Sequence, residues 1–197
     1  MPSSEYTIAE LLRDNGYNTG IVGKWHLGHK QEYLPLQQGF DSFFGIPYSN
    51  DMASTVYFRG NEVVDHFPDQ SLMTKKLTEE SIKFIESNSE NKFYLYLAHP
   101  MPHVPIYASE DFIGSSERGL YGDVVQELDW SVGKIIEKLR EKYKQVDIET
   151  YDERFTSQIA KDSLIFLGKN KKYRRKKSNI DKVSASIILQ SYLQRNS

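Results

Sequence analysis

The chain contains no cysteine, which excludes disulfides, thiolate metal sites and a cysteine nucleophile. No apolar run approaches the roughly 18 residues that crossing a bilayer requires. The opening "MPSSEYTIAELL" lacks a basic start and an apolar stretch, so no signal peptide is visible. Neither sign of charge is in excess: 25 Lys and Arg stand against 27 Asp and Glu, giving no overall pull toward nucleic acid or membrane. No internal repeat is present. What is there is 197 residues, 39% hydrophobic and 13% aromatic, enough for one globular domain with a substantial core.

Thr7 with Glu10 three residues on fits a capping box, Ile8, Leu11 and Leu12 supply a helical face, and Gly16 is a natural stop. "YNTGIVG" then reads as a short buried strand. Residues 30–52 read as a loop packed on the domain, rich in aromatics and broken by Pro35, Gly39, Gly45 and Pro47. Residues 56–64 suggest a hairpin around Arg59-Gly60-Asn61. A helix is expected over Ser71–Ser87, with Leu72, Leu77, Ile82 and Ile85 inward. "KFYLYLA" has the composition of a strand covered on both faces. After the loop "HPMPHVP", the spacing predicts a helix from Leu120 to Tyr143, with Tyr121, Val124, Val125, Leu128, Val132, Ile135, Ile136 and Leu139 as its apolar positions. Alternating helices and strands argue for α/β with a mainly parallel sheet.

The texture changes near Gln145. The expected division is 1–143 for the main domain and 144–197 for a divergent basic segment. Within the latter, "DSLIFLG" reads as one more strand, "KNKKYRRKKS" carries seven cations, and "DKVSASIILQSYLQRNS" as a weak helix.

Two polar clusters directly follow core strands. Lys24 and His26 come after Gly20–Gly23, and His99 and His103 after Tyr94–Ala98. In parallel α/β sheets the loops leaving the strands' carboxyl ends share one edge, where ligands bind. An ammonium there neutralises oxyanions, and an imidazolium donates a proton to a leaving group. The bland alternative is a set of surface histidines and an ordinary turn stiffened by prolines. His29 and His66 have no such placement and read as structural or solvated. Glu127 and Asp129, on the long amphipathic helix, read as structural too.

"GKWHLG", "YLPLQQGFDSFFGIPYSNDM", "FYLYLAHPMPHVP" and "RGLYGDVVQELDWSVGKI" together resemble the sulfatase family, closest to arylsulfatases, over about two-thirds of the chain. The resemblance implies a sulfuric ester hydrolase on a partial alkaline-phosphatase-like sandwich whose first strand is missing. It implies that Lys24 holds sulfate oxygens, that His103 protonates the departing alcohol or phenol, and that His26 supports the nucleophile. Asn50 and Asp51 would line the leaving-group side. The implied partner is a sulfate ester, on a small molecule or a glycan.

The family also implies a formylglycine nucleophile from a C/S-x-P-S-R motif, and one Ca²⁺ or Mg²⁺ held by oxygen ligands. The sequence has no such motif: in "MPSSEY", Ser4 stands where arginine is required. Asp14-Asn15-Gly16 spells the late metal pair but sits at a helix end and reads as a cap. "DSLIFLGKN" faintly resembles the late metal strand, yet it would put Lys169 at the aspartate position beside Asn170. No metal ligand is assigned. The expectation is therefore a sulfatase fragment, inactive by itself. The rivals are a non-catalytic binder of anions or sulfated glycans, a phosphatase-like relative whose cationic pocket takes phosphate, and a nucleic-acid contact or targeting signal in the basic run, for which a solvated tail is the commoner explanation. Relatives are often secreted, periplasmic or lysosomal, which leaves the compartment open.

Overall fold

The structure, a computed structural model, describes residues 4–52, 55–66, 68–153 and 156–195. It divides into two units, Met1–Ile148 and Glu149–Ser197.

The first unit is built on one sheet. Strand β1 (Asn18–Lys24) pairs in parallel with β2 (Ser42–Ile46) on one side and with β5 (Phe93–Ala98) on the other. The hairpin β3 (Tyr57–Arg59) and β4 (Glu62–Asp65) extends the sheet antiparallel from β2, giving the order β4-β3-β2-β1-β5. The mainly parallel α/β reading holds, but β5 ends the strand order and is only half-buried, with Tyr96 47% exposed, and is not the strand covered on both faces that its composition suggested. Strand β2 corrects the expectation of an unbroken loop. Its Phe43-Phe44-Gly45-Ile46 is fully buried, and a strand covered on both faces shows no alternation to betray it.

Residues that alternate along β1 and β2 feed two cores. Val22, Phe44 and Ile46 pack with Tyr57, Met73 and Leu77 on one face. Ile21 and Phe43 pack with Ala9, Trp25 and Phe40 on the other. Helix α1 (Ile8–Asp14) begins with the expected capping box between Thr7 and Glu10 and ends at Asn15, so Asp14-Asn15-Gly16 is indeed a helix terminus. Helix α2 (Met73–Ser87) starts two residues later than expected, after a 3₁₀ turn, and Leu72 is exposed while Leu77 and Ile85 are buried.

Helix α3 (Gly119–Lys142) departs furthest from its predicted face. Val124 is buried, but Tyr121, Val125 and Val132 are exposed, and Asp123, Glu127 and Ser131 are buried instead. The inner face of α3 secures the loop before it. Asp123 accepts from the Gly114 and Ser116 amides, and Glu127 from the Ser109 amide at 3.0 Å. Hydrogen-bond demand outranks apolar periodicity here.

The second unit consists of helices α4 (Thr156–Phe166), α5 (Lys171–Arg175) and α6 (Lys177–Arg195). "DSLIFLG" is thus part of a helix and not a strand. Thr156, Ala160 and Leu164 recur every four residues on its buried side, and Gly168, at φ 66°, closes the end. The likeness to a metal-bearing strand goes with it: Asn170 caps α5 by accepting from the Tyr173 amide at 2.9 Å. The expected C-terminal helix is present as α6, and the final two residues lie outside the described residues. No helix of the described residues is long and apolar enough to cross a membrane.

The tightest point of the sheet is Gly23, at φ 119°. A Cβ there would lie 2.0 Å from the Ala98 carbonyl oxygen, and one on the neighbouring Gly45 would lie 1.8 Å from the Gly23 oxygen. Gly133, on the exposed side of α3, has nothing within 4 Å of an added Cβ. Gly23→Ala should therefore cost about 2–3 kcal/mol. Gly133→Ala should stabilise by about 0.5–1 kcal/mol through helix propensity. Urea unfolding of both variants checks the opposite signs.

Candidate active site

Strand β1 delivers Lys24 as its last residue. The chain then stays laced to the exit of β2, because the Trp25 amide donates to the Ile46 carbonyl (3.0 Å) and the His26 amide to that of Pro47 (2.9 Å). Trp25 anchors this turn. It is buried edge-on against Phe40, and its indole N–H donates to the Tyr33 carbonyl at 2.8 Å. His26 sits in the left-handed region at φ 59°, a conformation costing about 1–2 kcal/mol in an L-residue and held here by its surroundings.

The exits of β1, β2 and β5 converge on one hydroxyl. Lys24 Nζ donates to Ser49 Oγ at 3.0 Å, and the same oxygen lies 3.4 Å from His103 Nδ1. His103 Nδ1 is 2.7 Å from the Val104 carbonyl oxygen. A carbonyl only accepts, so Nδ1 carries the hydrogen and Nε2 is left for a ligand. Ser49 also hydrogen-bonds Asp51, and that bond is the main reason the Asp51 carboxyl titrates below its ordinary range, with the charges of His103 and Lys24 adding to it. His26 titrates below an ordinary histidine, first through partial burial and then through repulsion by Lys24, while Asp51 pulls the other way. Lys24, His26, Asp51 and His103 thus share one electrostatic neighbourhood.

Asn50 has a different place. It is 2% exposed, and its amide nitrogen donates to the Pro105 carbonyl (2.9 Å) and to Gln70 Oε1 (3.2 Å). The Gln70 amide nitrogen returns a bond to the Asn50 backbone oxygen at 3.0 Å. Asn50 is a strut joining the loop after β2 to the loop of His103, beneath the surface that Asp51 presents. Ser49 escaped the sequence reading because β2 did. Once Ser42–Ile46 is a parallel strand, its exit loop belongs on the same edge as the other two.

His99 does not join the cluster expected for it. Its Nε2 is 3.0 Å from Ser131 Oγ, which is 2.6 Å from Thr78 Oγ1, and Thr78 donates its one hydroxyl hydrogen to the Thr74 carbonyl. Ser131 must then donate to Thr78 and accept from His99, so Nε2 carries the proton. Nδ1 is buried with no partner among the described residues. Charging this ring would place a second N–H where nothing accepts it. His29 is exposed but shares Tyr48 with His26: its Nδ1 is 2.5 Å from the Tyr48 hydroxyl, and His26 meets the same ring edge-on. His66 is exposed at the end of the hairpin. Glu127 is 1% exposed in the loop-securing role given above.

Among the described residues, no group of three or more His, Asp and Glu side chains is placed to hold a metal ion. Asp51 is one carboxylate beside Lys24 and His103, a donor set that does not fit a divalent cation. The chain has no cysteine to become formylglycine.

Residues 1–148 match the sulfatase family model, and the chain belongs to that family. A second model, Holliday junction resolvase, matches residues 123–195; it overlaps helix α3 and covers less than half of the chain. N-acetylgalactosamine-6-sulfatase of Mus musculus is 39% identical over 158 residues, covering 71% of this chain and 30% of that protein. The chain therefore spans about a third of the length of such relatives. A solved structure from a study of glycosaminoglycan metabolism by Bacteroides thetaiotaomicron superposes with TM-score 0.67 at 22% identity, over 72% of this chain and 43% of its own. A structure of Ps i-CgsB in complex with k-i-k-neocarrahexaose superposes with TM-score 0.63 at 25% identity, over 73% and 38%. The fold is a partial sulfatase α/β fold, as the motifs implied.

Burial pushes the His99 imidazole down from 6.5 to about 4. A neutral folded-state ring binds fewer protons than the unfolded one, so its contribution is full above pH 6.5 and lost as pH falls toward 4. The loss from this group is about 3 kcal/mol. The stability difference between the native chain and His99→Gln, measured by urea unfolding across that window, should show this slope. A flat difference would refute the neutral buried ring.

Proposed function

We propose that the first unit supplies the cationic, leaving-group side of a site that cleaves sulfate esters. The observation that carries this is the meeting of Lys24 and His103 on Ser49 Oγ, at 3.0 and 3.4 Å. Residues 25 and 54 positions away along the chain from Ser49 face one point in space. Lys24 holds the sulfate oxygens as a point charge. His103, with Nδ1 committed to Val104, presents Nε2; in the imidazolium form that nitrogen gives its proton to the ester oxygen as the S–O bond breaks, so the alcohol departs neutral. His26 stays mostly uncharged beside Lys24 and offers a hydrogen bond without adding repulsion. Asp51 and Tyr48 form the rim that the alcohol meets, and Asn50 keeps the two loops in register.

The names of several relatives, N-acetylgalactosamine-6-sulfatase among them, support sulfate on a sugar as the substrate class. The nucleophile and metal ligands of the family are not among these residues, so no step is assigned to them. The same geometry supports a second reading, a binder of sulfated glycans without turnover. The two part company only at turnover.

Calorimetry with inorganic sulfate should show binding that Lys24→Ala weakens about 10- to 100-fold, the range of a bond to a charged group. No heat with the native chain, or no change in Lys24→Ala, sinks both readings. The chain alone should not hydrolyse an aryl sulfate; turnover abolished by His103→Ala would establish that the nucleophile is present after all.

A further inference from the structure

Charge is distributed very unequally between the two units. Residues 149–197 carry eleven Lys and Arg against five Asp and Glu, while residues 1–148 carry fourteen against twenty-two. Seven of the eleven fall between Lys169 and Lys177. The structure folds this run into α5 and the start of α6 and sets it against α4. Between them lies a groove of about 520 Å³, lined by Lys161, Lys171, Arg174 and Arg175 with Ile165 and Ile180.

Lys171, Arg174 and Arg175 are spaced i, i+3, i+4, so they share one face of α5. Lys161 and Ile165 are four apart on α4 and line the groove from the other side. Arg174 Nε donates to the Lys169 carbonyl at 3.0 Å, which anchors the guanidinium. Among the described residues none of the four cations makes a salt bridge. The one carboxylate in the groove, Asp162, accepts instead from Gln158 Nε2 at 3.1 Å. Like charges at helical spacing oppose the helix that displays them. A solvated tail would not gather them around a concavity with apolar residues in its wall.

We propose that this groove is a docking site for a linear sulfated polysaccharide. The choice of polyanion rests on the sulfate-ester reading of the first unit; the groove itself does not. A chain bearing many sulfates meets net repulsion from the first unit, and a cationic unit on the same polypeptide offsets that repulsion and raises the local concentration of the polymer. Nucleic acid is the competing polyanion, and the partial match to a junction-resolvase model makes it the necessary control.

The test is binding of the full chain to heparin, to unsulfated hyaluronan and to random-sequence duplex DNA of matched length, by fluorescence anisotropy. Heparin should bind, and raising salt from about 50 to 200 mM should weaken it roughly 100-fold if four cations each release a counterion. Combining Lys171→Ala, Arg174→Ala and Arg175→Ala should weaken heparin binding at least about tenfold; alanine favours the helix, and circular dichroism verifies that it persists. Arg174→Lys with Arg175→Lys should keep most of the binding. Lys24→Ala should weaken heparin binding less than the triple variant does. The proposal is overturned if heparin fails to bind, if the triple variant binds as well as the native chain, or if hyaluronan or DNA binds as tightly as heparin. Loss of heparin in Lys24→Ala alone would move the polymer to the first unit and leave the sulfate pocket standing. Failure of inorganic sulfate to sense Lys24, with heparin still sensing Arg174 and Arg175, would do the reverse.

Discussion

The register of three parallel strands is the constraint on which the site depends. Gly23 of β1 lies level with Gly45 of β2 and with Ala98 of β5. Because the strands run in the same direction and end at the same height, their exit loops start side by side. The backbones approach so closely at Gly23 that no side chain fits between them. An ammonium, a hydroxyl and an imidazole that are far apart in sequence then fall within hydrogen-bond range. No long-range charge attraction is needed to gather them, and several of these groups repel one another.

Two histidines four residues apart show how strongly local packing sets chemistry. His99 faces the interhelical core, where its proton is fixed by a chain running from the Thr74 carbonyl through the hydroxyls of Thr78 and Ser131. His103 lies beyond the prolines, bonds the carbonyl of the next residue and keeps its other nitrogen available. Burial makes the first ring a structural group held neutral, and exposure leaves a ring nitrogen of the second open to a ligand.

Much of this was legible in the sequence. The capping box at Thr7, the buried strand around Ile21, the presence of a strand around Leu95, and the placement of Lys24, His26 and His103 at strand ends all follow from residue type and spacing, although β5 is half-buried and not covered on both faces. Three things did not. Strand β2 is five residues long, aromatic and covered on both faces, so it offers neither alternation nor length to distinguish it from a packed loop. The inner face of α3 is chosen by the unsatisfied amides of residues 109–116, a demand that helical periodicity cannot express. In α4 the run Leu164-Ile165-Phe166-Leu167 looks strand-like, yet only Leu164 of the four is buried; tertiary packing reads one position in four.

Lys24 leans on a neutral oxygen, not on a carboxylate. Had Asp51 taken the ammonium directly, an arriving anion would have to break an ion pair and then face the abandoned negative charge. Ser49 stands between them, turning its hydrogen to Asp51 and its lone pair to Lys24. Exchange of that lone pair for a sulfate oxygen swaps a weak acceptor for a strong one, with the carboxylate already occupied, so the cation is both held in place and ready to change partners.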